Sequence, residues 1–379
     1  MYVNSFYRNV IAIVSTSAVV VAVTLYLFPH LYVHKWFASQ YYVYNDKPKM
    51  LIVWRNGLGE RELGARIMKV MPKLGVNVKF VNLRNDKKPT IFDQKILDKP
   101  AAAAAAMQPD FILVIDRAVP PVAGFRNYVV LDQHPGAYIK QDQGKFEFIK
   151  PYHYQFNGLF PAFKEIDLLQ QVYEAQGKPY VGLPWRPTVH SNNYQAQTAK
   201  RLFYPGGSLS DATRGSEKYK QVMRMLDQTG YFEVYGWKER WKHTPNSYRG
   251  FIPIDGESLQ RINNRAGISL LLHDMEHFNA GVPTGRIFEA AAANTIMISD
   301  KHPFIIEHFG DNVLYIDVDQ DAEHMFKQID QHVQWIFAHP EEAKIMANRC
   351  HAIFLQKFTL EDQMRRVLEL AIPVSQAPV

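Results

Sequence analysis

The chain has 379 residues, 47% of them apolar and 13% aromatic, enough to bury the cores of two ordinary domains, which excludes wholesale disorder. Lys and Arg outnumber Asp and Glu to give a net charge of +6, a mild excess that suits an anionic surface or substrate. No dense cationic block is interleaved with aromatics, so no nucleic-acid partner is expected, and the single cysteine, Cys350, excludes an intramolecular disulfide.

Residues Val10 to Phe28 carry no charge and are dominated by Val, Ile, Leu and Ala. Nineteen such residues just span a hydrocarbon core as a helix, and Tyr26, Tyr32 and Trp36 stand where an aromatic belt would. The run is longer than a signal-peptide core, and Phe37-Ala-Ser-Gln40 is a poor cleavage site. Residues 1–41 therefore read as a single membrane anchor. Lys35, Lys47, Lys49 and Arg55 follow the span, against Arg8 and the amine before it, which places the C-terminal part in the cytoplasm.

From Lys49 the pattern is that of an α/β domain with a parallel sheet, taken as residues 42–190. Met50 to Trp54 is a buried strand, Arg55 to Gly59 a glycine-bearing turn, Glu60 to Leu74 a helix and Val76 to Val81 a second strand. The glycines at 57, 59 and 64 do not make a dinucleotide fingerprint, because the third comes too late. Residues 87–100 are polar, and Ala101 to Ala106 reads as an exposed helix or linker. Phe111 to Ile115 and Tyr128 to Leu131 are further strands; they run into Asp116 and into the segment holding His134. Ligands gather at the carboxyl ends of parallel strands, so both side chains are candidates to take a proton from an acceptor hydroxyl. Asp116 can equally be a helix cap, and His134 a turn residue before Pro135. Residues 139–154 read as irregular, Lys164 to Gln176 as a helix, Tyr180 to Pro184 as a last strand and Trp185 to Ala196 as a hinge.

A second α/β series covers residues 191–345. Its expected elements are a strand at Lys200 to Tyr204, a helix at Ser216 to Asp227, a strand at Phe232 to Tyr235, a helix at Ser258 to Asn264 and a strand at Ile268 to Leu272. The Gly206-Gly207 turn suits backbone approach to a diphosphate, with Arg214 as counter-charge, or it is a surface loop. His273 and His277, with Glu276, fit an inverted zinc-binding order, but that order needs a helix and these residues follow a strand directly; no metal and no cofactor are expected. A strand at Asn312 to Asp317 follows, then helices at Glu323 to Phe337 and Pro340 to Phe354. Residues 346–379 close the chain, and Leu360 to Ala371 reads as a last helix.

Between the last two strands lies the most informative stretch, Gly281 to Asp300. A small-residue loop ending in Thr284 and Gly285 runs into a helix that carries Arg286 and Glu289, then into the apolar strand Thr295 to Ser299. A helix start with an adjacent arginine suits a phosphate, and a carboxylate one turn further on suits a sugar diol. Glu289 can equally be a helix acid facing water.

The segment GRIFEAAAANTIMISD resembles the donor-binding segment of GT-B glycosyltransferases, in particular the group-1-like and spore-coat-type families. The resemblance implies two Rossmann-like domains, with the helix at Leu360 to Ala371 crossing back onto the first, and a nucleotide-sugar donor, with Glu289 on the nucleotide ribose and Thr284, Gly285 and Arg286 near the diphosphate. His273, at the end of the neighbouring strand, joins the donor-binding set. The retaining pattern E-x7-E is broken, since its first acid falls at Gly281, and the stereochemical outcome stays open. With the anchor, the expectation is a membrane-bound enzyme acting on an envelope or lipid-linked glycan. A tethered two-lobed solute-binding protein, or an inactive scaffold in a glycan-assembly complex, would share the same pattern.

Overall fold

A computed structural model of the protein describes residues 47–55, 58–83, 94–115, 119–131, 141–142, 145–146, 155–161, 171, 173–179, 189–204, 213–279 and 281–372. The apolar run at 10–28, the strand expected at 180–184 and the Gly206-Gly207 turn lie outside them. Among the described residues no helix is long and apolar enough to cross a membrane.

Two parallel sheets of five strands organise the residues from Pro48 onward. In the first, β1 (Lys49–Arg55) is followed by α1 (Leu58–Val70), β2 (Asn77–Leu83), α2 (Gln94–Met107), β3 (Phe111–Ile115) and β4 (Asn127–Leu131). After a two-stranded ribbon, β5 (Gln141–Asp142) with β6 (Lys145–Phe146), β7 (Gly158–Pro161) completes the sheet in the order β2-β1-β3-β4-β7. Every pairing in it is parallel. Met50 through Val53 and Phe111 through Ile115 have no exposed surface, because helices cover both faces. Alternate residues enter different cores: Leu51 and Val53 pack with Ile112 and Val114, whereas Met50 and Ile52 pack with Phe111 and Leu113.

Two features of this half depart from the sequence expectation. Strand β7 was concealed because four residues ending in proline carry no alternation, and only pairing with β4 makes them a strand. Helix α2 runs through Pro100, joining the polar stretch to the alanine run, and Ala104 is a buried core residue rather than part of an exposed linker. Gly64 is needed where α1 lies on β1: a Cβ there would stand 1.6 Å from the ring of Trp54.

The second sheet contains β8 (Arg201–Tyr204), β9 (Phe232–Val234), β10 (Gly267–Leu271), β11 (Ile296–Asp300) and β12 (Leu314–Ile316), in the order β12-β11-β10-β8-β9. Its pairings are also parallel. Around it lie α3 (Glu217–Asp227), α4 (Ser258–Ala266), α5 (Met275–Asn279), α6 (Gly285–Ala292), α7 (Pro303–Phe309), α8 (Ala322–Ala338) and α9 (Pro340–Lys357). Both sheets thus have the same doubly wound order, in which the chain reverses direction between the first and third strands. That reversal opens a crevice at the strand carboxyl ends, here between β8 and β10.

The last helix, α10 (Leu360–Ala371), belongs to the first core. Leu360, Met364, Val367, Leu368 and Ala371 pack with Met50, Ile52, Leu63 and Ile67, and the Tyr128 hydroxyl donates to Leu370 O at 3.3 Å. The connecting segment is tied to the base of this helix. Leu360 N donates to Val189 O at 2.8 Å, and Ser191 donates from its backbone N (2.9 Å) and its hydroxyl (2.8 Å) to the buried Glu361 carboxylate.

Candidate functional site

At the carboxyl ends of β8, β10 and β11, polar side chains collect on top of an otherwise apolar sheet. Helix α6 starts here. Its N-cap, Thr284, is extended (φ −78°, ψ 153°) and makes no side-chain cap bond, so its hydroxyl is committed elsewhere. It faces His273 Nε2 at 3.4 Å and accepts from Arg286 Nε at 3.3 Å.

Arg286 is buried and spans three elements. Its Nη2 donates to Leu272 O at 2.9 Å and its Nη1 to the Tyr204 hydroxyl at 3.2 Å, with the guanidinium 5.6 Å from the centre of the Tyr204 ring. Burial pushes its pKa down, partly offset by Tyr204, and Arg214 nearby lowers it further. The resemblance puts this cation near the donor's diphosphate. The structure sets it just behind the helix start, clamping the ends of β8 and β10 while adding its charge to the crevice. Arg214 lies closer to solvent, with its Nη2 3.3 Å from Asp274 Oδ2. The other oxygen of Asp274 accepts from the His277 backbone N at 2.9 Å, capping α5.

His273 has no exposed side-chain surface. Its backbone N (2.6 Å) and Nδ1 (2.9 Å) both donate to Asp300. Burial raises the carboxyl of Asp300, but the charge and hydrogen bonds of His273 outweigh it, and the pKa is held below the usual aspartate value. An ionised Asp300 sets the tautomer of His273, and Nε2 turns toward Thr284. The His273 ring therefore meets Thr284 rather than the open crevice. The ring of His302 lies 4.3 Å from that of His273; its Nε2 donates to His277 O at 3.2 Å, and its Nδ1 accepts from Phe304 N at 3.2 Å. With Nδ1 required as an acceptor the ring is neutral. Burial, reinforced by His273, brings its pKa down to about 4.

The ring nitrogens of His273 and His277, which share the inverted zinc-binding order in sequence, engage different groups. His277 Nδ1 is 2.9 Å from Val282 O, and its Nε2 is 4.0 Å from Asp274 Oδ2. Among the described residues no group of three or more metal-type side chains comes together.

Glu289 stands one turn into α6. It does not face water: its side chain is 11% exposed, and Oε1 accepts from Arg66 Nη2 at 3.0 Å. Its Oε2 accepts no hydrogen bond from the described residues. The local arrangement is thus a helix start and two arginines for an anion, with a carboxylate oxygen one turn away for hydroxyl donors.

Of the residues singled out from sequence, Thr284, Gly285, Arg286, Glu289, Arg214 and His273 come together at this crevice. Asp116, His134, Gly206 and Gly207 lie outside the described residues; β3 and β4 lead toward the first two, and β8 toward the glycines. Sequence reasoning missed Arg66, Tyr204, Asp274, Asp300 and His302. For Asp300 a signal existed, since it closes the Ile-Ser-Asp end of the motif at a strand terminus.

Residues 217–369 match the family model described as glycosyl transferase-like. None of the curated protein sequences matches significantly. Among solved structures, a glycosyltransferase from Rickettsia africae is similar over 88% of this chain and 100% of its own, at 11% identity and a TM-score of 0.55. An α-glucosyltransferase, solved with UDP and a 13-mer DNA containing a HMU base, aligns over 86% of this chain and 99% of its own, at 12% identity and a TM-score of 0.58. Anabaena HepE, solved with UDP-glucose, aligns over 85% and 99%, at 10% identity and a TM-score of 0.53. These likenesses show a GT-B fold, and residues 217–369 are similar to the glycosyl transferase-like family.

Proposed function

We propose that the protein is a glycosyltransferase of the group-1-like kind, which takes its sugar from a nucleotide-activated donor lodged in the β8–β10 crevice and passes it to an acceptor lying against the first half of the chain. The observation that carries the reading is Glu289: one turn beyond an arginine-backed helix start, it keeps Oε2 available to hydroxyl donors. The solved structures with UDP and UDP-glucose, similar to this chain in fold, support a nucleoside diphosphate as the donor's activating group.

In this mechanism the bond between the sugar's anomeric carbon and the diphosphate oxygen breaks, and the acceptor hydroxyl oxygen bonds to that carbon. The hydroxyl proton passes to a base, for which His134 and Asp116 are the candidates. The departing diphosphate keeps the electron pair, and the positive start of α6, with Arg214 and Arg286 behind it, meets its charge. Asp300 and His273 hold Thr284 at that helix start.

The apolar run at 10–28 supports a membrane tether, the flanking cations a cytoplasmic catalytic part, and the two together an envelope or lipid-linked glycan as acceptor. A tag-accessibility assay at each end of the chain tests the topology.

Calorimetry of the full chain with a panel of nucleoside diphosphates and nucleotide sugars tests the donor site. Selective binding, weakened about tenfold or more by Glu289→Ala, on the order of 1.4 kcal/mol, is the expected result. No binding, or equal binding by the variant, removes Glu289 from the site.

A further inference from the structure

Helix α1 belongs to the first half of the chain, yet its inner face ends on the carboxylate of α6. Arg66, 1% exposed, donates from Nη2 to Glu289 Oε1 at 3.0 Å and to Glu62 Oε1 at 2.9 Å, and its Nε reaches the same Glu62 oxygen at 3.2 Å. Glu62 Oε2 accepts from the backbone N of Gly256, in the second half, at 3.2 Å. Gly256 has φ +79°, and a Cβ on it would stand 3.2 Å from Arg66 Cγ and 3.4 Å from Arg66 N, so a glycine lets the two segments approach this closely. One buried cation is thereby shared between an acid of each half.

Stability alone is a poor reason for this arrangement. Removing a guanidinium and two carboxylates from water is costly, and a well-packed apolar set commonly does as well or better. The strain shows on Glu62: burial raises its pKa, Arg66 pulls it back, and the charge of Glu289 raises it again. What the arrangement does supply is direction. The planar fork of Arg66 takes Oε1 of Glu289, which fixes the rotation of that carboxylate and leaves Oε2 for hydroxyl donors.

We infer that Arg66, oriented by Glu62, is a positioning residue of the donor site: from the first half it sets the Glu289 carboxylate for the two ribose hydroxyls of the donor nucleotide. The inference rests on the reading of Glu289 as the acceptor of that diol. It makes recognition of the ribose depend on both halves of the chain, although the ribose itself touches the second.

The test compares, on the full chain, the tightest binder among ADP, CDP, GDP and UDP with its counterpart lacking both ribose hydroxyls. The parent is expected to prefer the natural nucleotide by about tenfold, the scale of hydrogen bonds to a charged acceptor. Glu289→Ala and Arg66→Gln should each reduce that preference to about threefold or less while leaving affinity for the counterpart nearly unchanged; a merely structural Arg66 would weaken both ligands alike. A parent that shows no preference, or binds none of the four, overturns the Glu289 reading and this inference with it. A preference abolished by Glu289→Ala but intact in Arg66→Gln overturns the role of Arg66 and leaves Glu289 standing. Should Arg66→Gln fail to fold, as judged by its thermal transition, Arg66→Lys and Glu62→Gln replace it. Each is expected to cut the preference by at least about threefold, and an unchanged preference in both overturns the inference.

Discussion

Asp300 accepts from both the backbone N and the Nδ1 of His273, at 2.6 and 2.9 Å, which locks the carboxyl ends of the neighbouring strands β10 and β11 together. Asp300→Ala leaves a buried N–H and a buried ring nitrogen without their acceptor. A loss of about 3 kcal/mol in urea unfolding is expected, together with weaker nucleotide binding as Thr284 loses its support. An unchanged unfolding midpoint would mean that the pair contributes nothing to the second half.

His302 makes stability depend on pH in a definite window. Its pKa falls to about 4 in the folded chain, against 6.5 as the ordinary value. Between these pH values the unfolded chain holds a proton that the folded chain does not, so stability is complete above about pH 6.5 and declines as pH falls toward 4. The decline attributable to this residue is at most on the order of 3 kcal/mol. His302→Asn keeps an oxygen able to accept from Phe304 N, as a cap requires, and titrates nothing. Thermal melting from pH 7 to 5 should be flatter in this variant than in the parent; parallel curves would refute the assignment.

Met364 projects from α10 into the first core with no exposed surface. Met364→Ala is expected to cost about 3 kcal/mol, the usual scale for a buried methionine truncated in place. Because its partners include Met50, Ile52 and Leu63, limited proteolysis should cut the variant first in the N-terminal half, although the substitution lies near the other end of the chain.

Cys350 is buried, and its thiol donates to Asn312 O at 3.3 Å. Burial raises its pKa to about 12, so almost none of it is thiolate near neutrality. Iodoacetamide should leave the native chain unlabelled at pH 8 and label it once denatured. Rapid native labelling would show that α9 opens locally.

The repeating α/β rhythm was legible because strands such as Met50 to Val53 and Ile296 to Ile298 are continuous apolar runs between turn residues. Glu289, Arg286 and Thr284 were legible because they lie within one short motif. Arg66 was not: it meets Glu289 across 223 positions of sequence, and nothing around it in the chain sets it apart from any other helix arginine. The buried roles of His273 and Asp300 were hidden for a similar reason. A strand-end histidine reads as a ligand-facing group until its neighbour, 27 residues on, is seen to hold it.

The return of α10 to the first sheet has a consequence for synthesis. As the polypeptide emerges from the ribosome, β1, β3 and α1 appear early, but the surface formed by Met50, Ile52, Leu63 and Ile67 waits for residues 360–371 before it is covered. The first half of the chain therefore cannot complete its core ahead of the second, as an independent domain commonly would. An oily face on the first half stays open until residues 360–371 have been made.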